Sequence, residues 1–159
     1  MNGFARDGRV LVVMGVPGGK GVREETLCVL SPARLGLKDG LRYRVADLRN
    51  NCYLGAARST AELAKVPVRL SNDDPLILLI EPESLAARLV WFRGADEVVQ
   101  SGEFDFKVKA VPGSPLELYL DEAGRQLRSA TPGFERKAAG DFTVFSGAVP
   151  ADGRVKLAR

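Results

Sequence analysis

A glycine-rich segment after an apolar run is the part of this sequence closest to a known chemical motif. Residues Met14–Gly21 have the sequence MGVPGGKG, so Lys20 follows two glycines. A phosphate-binding P-loop requires G-x-x-x-x-G-K-[ST], in which the hydroxyl binds magnesium and a following helix directs its amides at the phosphates. Met14 stands at the first glycine position and Gly21 at the hydroxyl position. The spacing therefore predicts a hairpin loop and not a nucleotide site.

Histidine is absent from the 159 residues. Because histidine is the usual general base near neutral pH and the commonest metal ligand, its absence excludes Ser-His-Asp and Cys-His catalysis and the usual zinc sites. Carboxylate pairs, a lysine base and an oxygen-ligated calcium site remain open. Asn72, Asp73 and Asp74 carry oxygen ligands for calcium, but the same residues before Pro75 are typical of a turn. We predict no catalytic residue, no cofactor and no metal site.

Four acidic residues are candidates for a general acid/base pair. Asp47, Asp121, Glu122 and Asp141 are far apart in the sequence, and their spacing indicates no such pair. We expect them at solvated strand ends and turns.

The cysteines and the apolar runs bear on the compartment. Cys28 and Cys52 each lie in an apolar run, which favours buried thiols over the alternative, a cross-strand disulfide in an exported chain. The first residues lack the apolar core of a signal peptide, and no apolar run approaches the roughly 18 residues that cross a bilayer. We expect a soluble chain, while its compartment stays unknown.

Aromatic rings are the remaining candidates for a binding surface, because a ring can stack on a sugar. Tyr119 alternates with its flanking leucines, so we predict that it is exposed and take it as the candidate ligand-binding residue. Tyr43 is predicted to share the apolar face of its strand. Trp91 lies between apolar neighbours and is expected in the core or at a domain interface.

The charge is mildly positive, with 23 basic and 20 acidic residues and a formal net charge of +3. A nucleic-acid-binding domain usually concentrates its cations on one face or in a cluster. The densest basic stretch, Arg42, Arg44 and Arg49, is interrupted by Asp47. We therefore expect no nucleic-acid partner, and we expect no membrane partner.

Period-two alternation of apolar and polar residues dominates the chain and predicts β-strands. Helical signals are limited to short segments, chiefly a capping box at Ser59–Glu62. Glycines and prolines separate the strand candidates, so the sequence predicts an all-β, antiparallel fold. The predicted strands are Val10–Met14, Thr26–Leu30, Leu41–Val45, Val66–Leu70, Leu76–Ile80, Leu89–Phe92, Phe104–Ala110, Leu116–Leu120, Phe142–Phe145 and Val155–Leu157.

Two domain organisations fit these strands. One is a single large sandwich, and the other is two small antiparallel β-sandwich units of immunoglobulin-like architecture. We favour two domains, residues 1–84 and 85–159. Leu76–Ile80 is apolar on both faces, as expected of a covered central strand, and Pro82 follows it closely.

One half of the chain resembles a known domain type. Leu35–Leu48 has the sequence LGLKDGLRYRVADL, and Gly55, Val66–Leu70 and Asp74–Pro82 follow in order. Over residues 8–82 this order resembles the C-terminal β-sandwich domain that follows the catalytic barrel in many glycoside hydrolases. The resemblance implies that a separate barrel does the hydrolysis and that this sandwich packs against it. No catalytic residue carries over.

These observations lead us to expect a non-catalytic accessory or structural β module, the C-terminal part of a glycan-processing enzyme. The alternative is a free-standing carbohydrate- or protein-binding β-sandwich. A small enzyme that uses carboxylates or Lys20 is the third possibility. The expected partner is a protein surface, either a catalytic domain or a second copy of the chain, and carbohydrate is the second choice.

Overall fold

The chain is almost entirely β-structured. The computed structural model describes residues 2–6, 8–16, 25–72, 75–84 and 86–159. Strands contain 52% of the residues and helix 3%, and the sheets are antiparallel, which confirms the all-β prediction. The chain divides into two compact units, residues 1–83 and 84–159.

The first unit consists of a six-stranded antiparallel sheet, a two-stranded antiparallel ribbon and one helical turn. The sheet has the order β1-β2-β8-β4-β5, with β6 also paired to β4, and the ribbon is formed by β3 and β7. The elements are β1 (Asn2–Arg6), β2 (Arg9–Met14), β3 (Glu25–Val29), β4 (Arg42–Asp47), β5 (Cys52–Tyr53), β6 (Arg58–Ser59), α1 (Thr60–Leu63), β7 (Pro67–Ser71) and β8 (Leu76–Pro82).

Strand β8 is the centre of the first unit. It pairs with β2 on one side and with β4 on the other, so both of its edges are hydrogen bonded. Leu78 and Ile80 on β8 are fully buried, and Val68 and Leu70 of the ribbon belong to the same core. The prediction of a covered central strand is confirmed, and the core lies between the sheet and the ribbon.

The helical turn α1 is fixed by its N-cap. The Ser59 hydroxyl accepts the Glu62 backbone N–H, and the Glu62 carboxylate accepts the Ser59 backbone N–H. The Ser59 hydroxyl also donates to Glu62 Oε2 at 2.8 Å. The hydrogen bonds that the Glu62 carboxylate accepts, first from the backbone N–H and then from the hydroxyl of Ser59, lower the pKa of Glu62. Leu63 is buried in the core, and Pro67 begins the next strand, so the helix ends after one turn. The predicted capping box is confirmed.

The second unit contains two four-stranded antiparallel sheets. Their strand orders are β10-β11-β16-β13 and β14-β15-β12-β9. Its elements are β9 (Arg88–Arg93), β10 (Glu97–Gln100), β11 (Asp105–Lys109), β12 (Pro115–Asp121), β13 (Arg128–Ser129), β14 (Glu135–Ala139), β15 (Phe142–Ala148) and β16 (Arg154–Ala158).

Both sheets of the second unit contribute to one core. Phe106 and Val155 come from the first sheet, and Leu118 and Phe145 come from the second, and all four are almost completely buried. Alternate residues of β11 and β16 are exposed, so one side of the first sheet faces the core and the other faces solvent. This is the sandwich-like arrangement expected when period-two strands bury one face.

Candidate functional site

Tyr119, the predicted ligand-binding residue, is buried. Its exposed fraction is 5%, so the prediction that it is exposed is wrong. The reason lies on the neighbouring strand, where Trp91 stands directly opposite Tyr119. The two rings stack with their centroids 4.3 Å apart and their planes inclined by 26°. Alternation placed Tyr119 on the outer side of β12 but could not show that another ring covers it.

Two charged residues complete a compact group around these rings. The Arg93 guanidinium carbon lies 4.6 Å from the centre of the Trp91 ring and 5.7 Å from that of Tyr119. Glu117 Oε2 accepts a hydrogen bond from the Tyr119 hydroxyl at 2.9 Å and lies 3.8 Å from Arg93 Nη1. We call Trp91, Arg93, Glu117 and Tyr119 the Tyr119 cluster. Its polar atoms are largely occupied by one another.

The electrostatics of the Tyr119 cluster favour a neutral phenol. Burial and then the hydrogen bond to Glu117 raise the pKa of Tyr119. At neutral pH the hydroxyl is therefore protonated and acts as a hydrogen-bond donor, not as a base. Trp91 Nε1 is buried and has no acceptor among the described residues.

Arg93 and Glu117 were not predicted from the sequence as site residues. Each lies two positions from an aromatic residue on the same strand, Arg93 from Trp91 and Glu117 from Tyr119. Residues two apart on a strand share a face, so this spacing was the available signal. The pairing of the two strands, which brings all four together, was not visible in the sequence.

Two of the four acidic candidates, Asp47 and Asp121, are buried at the ends of strands. Asp47 ends β4 and accepts the backbone N–H groups of Arg49 and Asn50 at 3.0 and 3.2 Å. Asp121 ends β12, accepts the Ala123 N–H at 2.8 Å and lies 3.4 Å from an arginine of β9. The expected position at strand ends is confirmed, but the expectation that these two carboxylates are solvated is wrong. Each is buried because it fixes the turn that follows its strand.

Glu122 joins three segments of the second unit. Its carboxylate accepts hydrogen bonds from the Leu127 backbone, the Thr143 hydroxyl and the Arg136 guanidinium, at 3.0, 2.9 and 2.6 Å. The hydrogen bond with Glu122 raises the pKa of Arg136. Asp141 is exposed in the turn between β14 and β15, as expected. Within its own unit, each of these four carboxylates therefore lies in a turn or connects neighbouring strands.

Several predicted features lie outside the described residues. Lys20, Asp73 and Asp74 are among them, so the hairpin loop and the turn before Pro75 stay predictions. Within the described part of the chain, no group of three or more Cys, Asp or Glu side chains is arranged to hold a metal ion. No helix in that part is long and apolar enough to cross a bilayer. Cys28 and Cys52 are half-buried and are not joined by a disulfide.

The ribbon of the first unit presents apolar side chains to solvent. Leu27 is 67% exposed and Val29 is 54% exposed. Across the ribbon they stand opposite Arg69 and Pro67, which are also exposed. We call these four residues the ribbon face. The other side of the ribbon, which includes Val68, packs on the core, so the ribbon is apolar on both sides.

No protein-family model, curated protein or solved structure matches this chain.

Proposed function

We propose that this chain is a non-catalytic accessory β module that packs against the catalytic domain of a glycan-processing enzyme. In this proposal its units are immunoglobulin-like, and the first is the C-terminal sandwich domain of a glycoside hydrolase. The ribbon face carries the proposal, because two neighbouring aliphatic residues on one strand are exposed there. Apolar patches on a soluble domain mark surfaces that contact another protein or ligand.

The size of the ribbon face favours an accessory domain over a free-standing binder. Complete burial of a Leu or Val side chain contributes about 1.5–3 kcal/mol. Leu27 and Val29 are already partly covered, so completing their burial adds roughly 2–3 kcal/mol in all. A dissociation constant of 1 mM already needs about 4 kcal/mol. The ribbon face alone is too small to hold a separate partner and suits one part of a larger domain interface.

The carboxylates support the non-catalytic part of the proposal. General acid/base catalysis needs titratable groups that converge on a concave site. Asp47, Asp121 and Glu122 are instead occupied by backbone amides, arginines and a hydroxyl within the fold. Substitution of any of them is expected to change stability before it changes any chemistry.

The first experiment tests catalysis directly. The purified chain is assayed against a panel of aryl glycosides, and we expect no release of the chromophore. Turnover that survives repurification and is lost in a carboxylate variant that still folds would refute the non-catalytic proposal.

The second experiment tests the ribbon face. In the absence of its partner, two copies can cover each other's ribbon faces, which buries roughly twice the apolar surface and contributes roughly 4–6 kcal/mol. We therefore expect weak association, which sedimentation velocity at up to about 1 mM protein detects. The Leu27→Ser/Val29→Ser variant should lose this association. A matched control is Val99→Ser/Val111→Ser, which alters exposed valines of the second unit. Association that is unchanged in the ribbon variant, or lost equally in the control, argues against the ribbon face.

The alternative, a carbohydrate-binding sandwich that uses Tyr119, receives less support. A sugar cannot stack on Tyr119 unless the stack with Trp91 opens, because the phenol ring is buried. Tight binding of a neutral glycan that is abolished by Tyr119→Ala, in a variant that still folds, would favour this alternative.

A further inference from the structure

The solvent side of the β10-β11-β16-β13 sheet is strongly basic. Alternate residues of β11 and β16 point away from the core, and the cations among them are all exposed. Arg128 on β13 is exposed as well. We define the basic face by five residues, Lys107, Lys109, Arg128, Arg154 and Lys156. Two carboxylates lie on the strands of the same sheet, Asp105 on β11 and Glu97 on β10.

The register of two strands places like charges side by side. Lys107 stands directly opposite Arg154, and Lys156 stands opposite Asp105. Paired strands are about 4.8 Å apart, and residues two apart on a strand are separated by about 6.7 Å. Like charges directly across a strand pair destabilise a sheet. The Lys107–Arg154 pair therefore lowers the stability of the free protein.

The same cations line a shallow pocket of about 90 Å³. Its lining consists of Ser101, Asp105, Phe106, Lys107, Arg154 and Lys156. Three cations, one hydroxyl and the Asp105 carboxylate thus border a space large enough for a single carboxylate or sulfate group, and the cations outnumber the carboxylate three to one. Such a group would offset the repulsion between Lys107 and Arg154.

The cations of the basic face are only partly compensated by carboxylates of the protein. Lys109 stands opposite Glu97 and Lys156 opposite Asp105, whereas Lys107 and Arg154 face each other. Elsewhere in the second unit, Arg88, Arg93 and Arg136 each pair with a carboxylate. Within the part of the chain that the structure describes, no such ion pair involves Lys107, Lys109, Arg154 or Lys156. A surface of this kind attracts polyanions.

The side chains of the basic face favour one class of polyanion over the others. Proteins that bind single-stranded nucleic acids add aromatic side chains on which bases stack. On the described strands of this sheet the one ring is Phe106, which lies in the core. The face is also one sheet side and not a helix or ribbon that enters a duplex groove. An anionic polysaccharide is a flexible chain of acidic sugars, and rows of cations are sufficient to bind its acidic groups without stacking rings.

We infer that the basic face binds an anionic polysaccharide, with one of its acidic groups in the pocket between Lys107 and Arg154. The charge pattern of the basic face does not depend on the proposed function. The choice of a polysaccharide as the ligand rests on that proposed function. The interaction is mainly electrostatic and weakens as the salt concentration rises.

Binding is measured by calorimetry and affinity electrophoresis with defined probes. Polygalacturonate carries carboxylates, dextran sulfate carries sulfates, and neutral dextran has neither. We expect one or both anionic polymers to bind and neutral dextran not to bind. The two polymers distinguish carboxylate from sulfate as the preferred group. Single-stranded and duplex DNA are measured under the same conditions.

The variants separate a local site from the overall charge. Lys107→Gln/Arg154→Gln should weaken binding roughly tenfold, since each exposed charge contributes about a factor of two to five. Lys65→Gln/Lys137→Gln removes the same net charge elsewhere on the surface and should leave the affinity unchanged. Asp105→Asn removes a carboxylate from the pocket and should strengthen binding. Circular dichroism confirms the fold of each variant.

Equal losses in the two double variants, or no binding of either anionic polymer, would overturn the inference. Equal or tighter binding of DNA would also overturn it and identify the face as a nucleic-acid surface. None of these outcomes bears on the proposed packing against a catalytic domain, which is tested separately at Leu27 and Val29.

Discussion

Charged and aromatic pairs alternate along the outer side of the β9–β12 strand pair. The register aligns three cross-strand pairs: Arg88 with Asp121, Trp91 with Tyr119 and Arg93 with Glu117. An ion pair therefore lies on each side of the ring stack. Cross-strand pairs of opposite charge and of aromatic rings each stabilise a sheet. The Tyr119 cluster is best explained as a structural unit that joins these two strands.

Tyr119 gives the second unit a stability that depends on pH in the alkaline range. Burial raises the pKa of Tyr119 in the folded state above its unfolded value of about 10. The folded state therefore retains the proton more strongly, and the free energy of unfolding should fall as the pH rises above about 10. Urea unfolding at a series of pH values, with absorbance of tyrosinate as a second signal, measures this fall.

Tyr119→Phe should flatten the alkaline loss of stability. Glu117→Gln keeps the phenol but removes the carboxylate that raises its pKa, so Tyr119 should ionise at lower pH than in the parent protein. An alkaline unfolding profile identical in the parent and in Tyr119→Phe would contradict this explanation.

The Arg88–Asp121 ion pair is buried, with side chains only 8% and 11% exposed and charged atoms 3.4 Å apart. Removal of one partner leaves a buried charge, which costs about 3–5 kcal/mol. Asp121→Asn keeps an oxygen for the Ala123 N–H but removes the negative charge beside Arg88, which retains its hydrogen bond to the Ser84 carbonyl oxygen. We expect both Asp121→Asn and Arg88→Met to lower the free energy of unfolding by this amount.

The double variant Arg88→Met/Asp121→Asn tests the pair itself. Its loss should be smaller than the sum of the single losses, because no unpaired charge remains. Single losses below about 1 kcal/mol, the contribution of an exposed ion pair, would show that the pair is not isolated from solvent.

At the scale of the elements, a glycine allows the segment between β9 and β10 to pack closely against the first residue of β12. Gly94 lies between β9 and β10 at φ +84°, and a Cβ there would collide with the Pro115 carbonyl oxygen. Gly113 has a similar φ of +81° but open space around it. Gly113→Ala should cost about 1–2 kcal/mol, the price of the left-handed conformation. Gly94→Ala should cost about 3 kcal/mol or more, because the collision adds to the same strain.

Urea unfolding of the two glycine variants separates backbone strain from steric overlap. The informative quantity is the difference between their losses, since both share the strain. If the two variants are equally stable, the close approach at Pro115 does not restrict the residue at position 94.

Strands that bury apolar residues could be predicted from the sequence, whereas polar strands could not. The alternation in β11 and β12 located both of them, and the apolar run of β8 indicated its central position. Strand β14 has the sequence ERKAA and is mostly exposed, so it carries no alternation. It is a strand because its backbone pairs with β15 along Glu135–Ala139. That pairing depends on a distant segment and not on local propensity.

The candidate surfaces were hidden from the sequence for a related reason. The basic face arises when the register of β11 and β16 brings Lys107 beside Arg154. In the sequence these cations are separated by several strands and belong to a mild overall excess. The ribbon face likewise depends on which side of β3 meets the core. The sequence supplied the composition of both surfaces but not their assembly.

At the scale of the whole molecule, the joint between the two units should be the first site of limited proteolysis. Units 1–83 and 84–159 meet at a segment in which the described residues 84, 86 and 87 belong to no strand. Backbone outside a sheet is more accessible to proteases than paired strands. Mass spectrometry of the earliest fragments should place a cut near residues 83–87. Earliest cuts within 105–121, which spans two paired strands, would contradict the division.

The order of strands along the chain has a consequence for biosynthesis. In the first unit the last strand, β8, lies between β2 and β4, and in the second unit the last strand, β16, lies between β11 and β13. A ribosome delivers β8 and β16 only after the strands that they join. Until each one leaves the exit tunnel, its neighbours have unpaired edges that can associate with other chains. In each unit one sheet is therefore complete only after its last strand is made, and translation arrested before residue 154 leaves β11 and β13 without the strand that connects them.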